Sequence, residues 1–221
     1  MLHPLTRILW NLLRWVSLLR GNSASPAYRV ISLGRPERLQ LLAENQLGLP
    51  QLERFPAING YSDAEVQRAL KDSGLTYHRL DFPTNGTLAC FLSKHAAFRL
   101  QVDQKLPLLV LLEDDVRLDP DFDAYVRVAA QLLFLFPWLT HLRLAQWGEG
   151  YITNVRGAER ILHKLGQQGI RRNIDNQLRR DCGPQFPVGR LTPPRWQLVV
   201  ATNAGDCLKT GPVTLARIIS G

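Results

Sequence analysis

Apolar residues in this chain fall into short continuous runs separated by longer, helix-periodic stretches. Residues 28–33, Tyr-Arg-Val-Ile-Ser-Leu, read as a short buried strand, followed by Gly34-Arg35-Pro36 and a helical run over 37–46. Strand, glycine turn and helix in that order open an α/β domain. Phe55-Pro56-Ala57-Ile58 is a second apolar run, ended by Asn59-Gly60. Periodicity predicts helices over 63–73 and 87–102. The clearest strand is 106–112, Leu-Pro-Leu-Leu-Val-Leu-Leu. It is continuously apolar, as strands covered on both faces are. A helix is predicted over 121–136, a strand over 139–144, a strand or loop over 148–153 and a helix over 157–166. The stretch after Asp181 reads as loop-rich. No internal repeat or low-complexity tract interrupts the pattern.

The first twenty residues follow a different pattern. On a helix, His3, Arg7, Asn11 and Arg14 form one narrow polar stripe, and Leu, Ile, Val and Trp cover most of the rest. Arg7 and Arg14 break any transmembrane span, and a secretory signal would need a cleaner apolar stretch. An in-plane amphipathic helix fits membrane contact through residues 2–20. The alternatives are packing of the same face on the chain's own domain or on a sister subunit, and a targeting peptide. Gly21-Asn22-Ser23 ends the pattern and Ser25-Pro26 reads as a linker. The expected organisation is an N-terminal helix and linker over 1–26 and one domain over 27–221.

Composition narrows the classes. The chain has 221 residues, 45% of them hydrophobic, which suits one sizeable core and argues against disorder. Cys90, Cys182 and Cys207 are too few and too scattered for a disulfide framework or a zinc knuckle. The net charge of +8 is uneven. Residues 1–36 hold five Arg and no acid; 37–142 hold ten basic and fourteen acidic residues; 143–221 hold twelve basic and five acidic residues. The acidic middle argues against a nucleic-acid-binding module, so no nucleic-acid partner is expected. The basic ends attract phosphates or anionic lipid.

That acidic middle contains Glu113-Asp114-Asp115, placed directly after the buried strand. Three adjoining carboxylates oppose folding unless something neutralises them. In open α/β sheets, ligands bind just beyond the carboxyl ends of strands. Hard oxygen ligands suit Mn²⁺ or Mg²⁺ bridging carboxylates to substrate phosphates. Asp119, Asp121 and Asp123 instead read as helix caps and first-turn acids.

At these residues the chain resembles glycosyltransferase family 25, the lipooligosaccharide and procollagen galactosyltransferase group. Four blocks stand in the family's order across 28–178: Val30 to Arg38; Phe55 to Gly60; Gly86 to Ser93 with Leu111 to Val116; and Gly150-Tyr151-Ile152-Thr153, Gly157-Ala158 and Ile174-Asp175. Where relatives place His directly after Ser93, this chain has Lys94, with His95 next. The resemblance implies a single GT-A-like, Rossmann-type α/β domain that binds a nucleotide sugar. It also implies metal-dependent, inverting transfer of a hexose, galactose from UDP-galactose, to a surface glycan or glycolipid such as lipooligosaccharide. The expected location is cytoplasmic, peripheral to the inner face of the membrane.

The resemblance puts the nucleotide sugar against Ser32, Leu33, Arg35, Arg38, Ser93, Lys94, Glu113 and Asp114. Asp115, with Glu113 second, would hold the cation. Arg35 and Arg38 suit phosphate contacts, or a solvated first helical turn. The base that deprotonates the acceptor is Asp175 or Glu149. The alternative for Asp175 is a helix N-cap or a partner of Arg171 or Arg179. Arg171-Arg172 and Arg179-Arg180 suit a phosphorylated acceptor or a solvated face. Trp147 suits a sugar stack or the core. A Cys90–His95 nucleophile pair is poorly aimed on one helix. Lys94 also motivates an alternative, a catalytically degenerate relative acting as a membrane-associated partner.

Overall fold

The computed structural model describes residues 25–45, 52–78, 83–118, 122–144, 150–182, 186–187 and 199–201. The N-terminal amphipathic segment, Trp147 and Glu149 lie outside the described residues.

The chain runs β1 (Ala27–Ser32), α1 (Pro36–Asn45), β2 (Leu52–Pro56), α2 (Asp63–Ser73), α3 (Asn85–Asp103), β3 (Leu108–Glu113), β4 (Val116–Leu118), α4 (Phe122–Leu135), β5 (His141–Arg143), β6 (Gly150–Asn154), α5 (Val155–Gln168), α6 (Ile174–Asp181), β7 (Phe186–Pro187) and β8 (Val199–Ala201). Six strands form one sheet in the order β2-β1-β3-β6-β5-β7. β1 pairs in parallel with both β2 and β3, while β6 is antiparallel to β3 and to β5. β4 and β8 form a separate antiparallel pair.

Alternation along the strands sends side chains to two cores. Leu108, Val110 and Leu112 join Tyr28, Val30 and Ile152 under α4. Leu109 and Leu111 join Ile31 and Tyr151 under α2, α3, α5 and α6. The sheet is therefore covered on both faces, as the unbroken apolar run predicts. Each fully buried leucine of β3 contributes up to about 1.5–3 kcal/mol.

Most boundaries move by a few residues from those the pattern predicts, for local reasons. α3 begins at Asn85 because the Thr84 side chain caps it by accepting from the Thr87 N–H. α5 begins at Val155 because Asn154 accepts from the Gly157 N–H. Pro107, which lacks an N–H, stays outside β3. α2 matches its predicted span and ends on Gly74 in the left-handed conformation, φ 68°. Of the 148–153 segment, the described part from Gly150 onward is a strand, β6, and the stretch beyond Asp181 contributes β7 and β8.

The topology marks one place for a ligand. From β1 the chain moves outward to β2, then returns to β3 on the other side of β1. Strand order reverses between β1 and β3, and ligands favour the crevice at the carboxyl ends of such strands. Ile31 pairs with Glu113 at that end.

Candidate active site at the carboxyl ends of β1 and β3

Glu113 shares its strand face with Leu109 and Leu111, which directs it towards α3. There it meets Lys94, from the middle of that helix. Lys94 is 1% exposed, and its Nζ lies 2.6 Å from Glu113 Oε1 and 2.9 Å from Asp175 Oδ1. Lys94 lies in the buried run 91–95 of this helix, away from its exposed Arg99 and Asp103, so its ammonium needs an internal partner. The Tyr151 hydroxyl donates to the same Asp175 Oδ1 at 2.7 Å. The ammonium also sits 5.3 Å from the Tyr151 ring centre. Half-buried Cys90, one helical turn before Lys94, directs its thiol to Glu113 Oε1 at 3.9 Å.

Burial alone would discharge Lys94. Asp175, Cys90 and Glu113 outweigh burial and hold its pKa well above the ordinary lysine value. Burial, then Asp175, raises the Tyr151 phenol well above its usual value, so it remains a donor. The carboxylates keep 28% and 30% side-chain exposure, so both present a wet edge above a buried cation.

Asp175 occupies the first turn of α6, but Asn173 caps that helix by accepting from the Asn176 N–H at 3.1 Å. The partners of Asp175 are therefore Lys94 and Tyr151. The nearby arginines bind elsewhere. Arg171 Nε donates to the Gln168 carbonyl, Arg172 pairs with Asp181, and Arg179 donates to Asn176.

Asp115, in the turn after β3, has a different environment. Burial first, then Glu113, pushes its carboxyl up to about 7, with Arg38 pulling it down. Arg38 is buried on the first turn of α1, which removes the solvated-turn reading for it. Arg35, half-buried beside it, lies 5.6 Å over the Tyr61 ring. Gly34 permits the sharp exit from β1 at φ 78°, where a side chain would also strike the Arg54 guanidinium.

Ser32 and Ser93 are both 1% exposed. Ser32 Oγ accepts from the Gly34 N–H, and Ser93 Oγ donates to the Ala89 carbonyl while accepting from the Ile58 N–H. They hold the two loops rather than face the crevice. Leu33 is exposed at its rim, and Asp114 is half-buried in the turn. Gly60 lies against the Gly86 backbone, where a Cβ would come within 2.6 Å. That contact brings the 59–61 loop onto the start of α3. Burial, with Arg99, lowers His95 to about 4, so it is neutral and no partner for Cys90, whose thiol faces Glu113.

A divalent cation fits Asp115 on the chemistry of the donor. A hard carboxylate held near pH 7 by burial and a like charge gains most from a cation. Glu113 is committed to Lys94 through Oε1. No group of three or more His, Cys, Asp or Glu side chains forms a metal cage among the described residues. Asp115 would therefore share the ion with oxygens of a substrate.

The family model described as "Glycosyltransferase family 25 (LPS biosynthesis protein)" matches residues 26–158. The chain belongs to glycosyltransferase family 25. The matched span holds β1, the Lys94 helix, the carboxylate turn and Tyr151, whereas Asp175 lies beyond it. A "Glycosyltransferase 25 family member" of Drosophila pseudoobscura pseudoobscura is 31% identical over 162 residues, 58% of this chain and 25% of that protein. Proteins of the same description from Drosophila melanogaster and Aedes aegypti are 26% and 27% identical, with 58% and 59% of this chain covered. The chain spans about a quarter of the length of these family 25 relatives.

Proposed function

We propose that the chain is a metal-dependent inverting glycosyltransferase that moves a hexose from a UDP-sugar to a glycan or glycolipid acceptor. UDP-galactose and a lipooligosaccharide-type acceptor are the preferred substrates. Family membership and the mixed α/β sheet support glycosyl transfer on a GT-A-like domain. The observation that carries the site is the convergence of Glu113, Asp115 and Asp175 on the β1–β3 crevice, with buried Lys94 between two of them.

The roles follow from the geometry. Arg38 and Arg35 border the crevice where a diphosphate would lie, and charge-assisted bonds would hold it. Asp115 would hold Mn²⁺ or Mg²⁺, which when bound offsets charge developing on the leaving diphosphate. Asp175 is the base: Lys94 and Tyr151 both engage Oδ1, which fixes the carboxylate and leaves Oδ2 to take the acceptor proton. Glu113, anchored by Lys94, faces the donor with its wet edge. A panel of nucleotide sugars with Mn²⁺, read as released nucleotide, tests this. UDP-galactose should lead, and no release from any sugar nucleotide would contradict the proposal.

Lys94 favours one second reading, a degenerate family member that binds without transferring. Its ammonium holds Asp175 Oδ1, and a cation there weakens a carboxylate as a base. Calorimetry separates the two. Mn²⁺-dependent UDP-sugar binding without turnover supports the degenerate form, and turnover removes it.

A further inference from the structure

The far end of the sheet carries an apolar corner with no part in the site. β5 runs antiparallel to β6, and β6 antiparallel to β3, so β5 and β3 point the same way. The corner leads into the amino end of β5 and so lies opposite Glu113. Its residues, 134–138, are Phe-Leu-Phe-Pro-Trp, and all five are exposed. Phe134 is 69% exposed, Leu135 41%, Phe136 37% and Trp138 56%.

Hydrogen bonds hold this corner in place. The Phe136 N–H donates to the Leu132 carbonyl, and the Leu139 N–H donates to the Phe136 carbonyl, both at 2.9 Å. The Phe136 and Trp138 rings lie 5.0 Å apart in a tilted pair. Arg160 donates to the Pro137 carbonyl at 2.6 Å.

Cations border it. Arg156, Arg160 and Lys164 are exposed and recur every four residues along α5, which puts them on one helix face. Arg160, His163 and Lys164 line an open groove with Trp138. Two acids share that groove, but Asp181 is paired with Arg172, which leaves Glu159 against the cations.

We propose that this corner seats on an anionic lipid surface. Phe134, Phe136 and Trp138 enter the interface, and Arg156, Arg160 and Lys164 meet headgroup phosphates. Aromatic rings beside long basic side chains suit a boundary that is apolar on one side and charged on the other. The apolar area is about a few hundred Å², below the roughly 800 Å² per partner of a stable protein interface. A lipid surface sets no such minimum, because the charges add to the attraction. The arrangement leaves the carboxyl-end crevice facing away from the membrane. It does not depend on the glycosyl-transfer reading.

The test uses the full chain with phosphatidylcholine vesicles, with and without phosphatidylglycerol. Phe134→p-benzoylphenylalanine reports the contact directly, because residues 2–20 could bind lipid by themselves. On illumination it should form a lipid adduct with anionic vesicles. Arg160→Gln with Lys164→Gln should weaken anionic-vesicle binding on the order of tenfold and leave neutral-vesicle binding unchanged. Phe134→Ser with Trp138→Ser should weaken both. Three results would overturn the proposal: a crosslink to a second chain, a crosslink within the same chain, or vesicle binding that none of the variants alters.

Discussion

Glu113 and Asp115 are two residues apart, yet they sit in opposite electrostatic settings. Glu113 faces a buried ammonium at 2.6 Å, which also holds Asp175. Asp115 faces burial and like charge, and its carboxyl rises to about 7 despite Arg38. One side of the crevice has its counter-charge built into a helix. On the other side the Asp115 carboxyl stays raised although the buried Arg38 opposes the shift. Charge balance therefore separates a positioned pair, Glu113 and Asp175, from Asp115, whose carboxyl is held raised by burial and like charge.

Removing the internal cation should have the largest effect on stability. Lys94→Met leaves two carboxylates against one buried site. It should cost about 3 kcal/mol, the low end for a broken buried pair, because both carboxylates keep a wet edge. Urea unfolding measures it, and a loss below about 1 kcal/mol would mean that Lys94 is not the counter-charge. Tyr151→Phe is smaller. It removes one hydrogen bond to a charged Asp175 and should cost about 1.5 kcal/mol by the same measurement.

Asp115 should behave in the opposite sense. Its folded pKa, about 7, lies above its ordinary value of 3.8. Ionised Asp115 therefore opposes folding above pH 7, and the penalty fades as pH falls through 7 towards 4. Asp115→Asn should raise stability at pH 8, on the order of 1 kcal/mol after allowing for partial exposure, and leave it unchanged near pH 4. Unfolding curves at the two pH values check this, and equal effects at both would contradict it. The same pKa should show in cation binding. A proton and Mn²⁺ compete for Asp115, so affinity should weaken by roughly tenfold per pH unit below 7 and level off above it. Titration calorimetry at several pH values reads it.

Much of this frame was visible in the pattern of residues. The apolar run before Glu113 marked a strand covered on both faces, and α2 followed its periodicity. The abrupt change from apolar strand to triple acid pointed to a strand-end site. Other features depend on contacts between residues far apart in the chain, which no local spacing encodes. Lys94 meets Asp175 across 81 positions, and Tyr151 meets it across 24. In the sequence Lys94 stood out only as a departure from the family's His. Its place in the apolar run Phe91-Leu92 to Ala96-Ala97-Phe98 was the signal that it needed an internal partner. Tyr151 lay inside a matched block without a role, and its alternate place on β6 is what turns it towards Asp175. Ser32 and Ser93 suggested donor contacts by position, but backbone groups of nearby loops use their hydroxyls first.

The central claim is that the β1–β3 crevice is a donor site with the cation on Asp115. Mn²⁺-dependent release of UDP from UDP-galactose, measured for the unaltered chain and for Asp115→Ala, tests it most directly. Release should require Mn²⁺ and fall by about 10²–10³-fold in the variant, the scale of losing one transition-state charge stabiliser. Full Mn²⁺-dependent release by Asp115→Ala would contradict it.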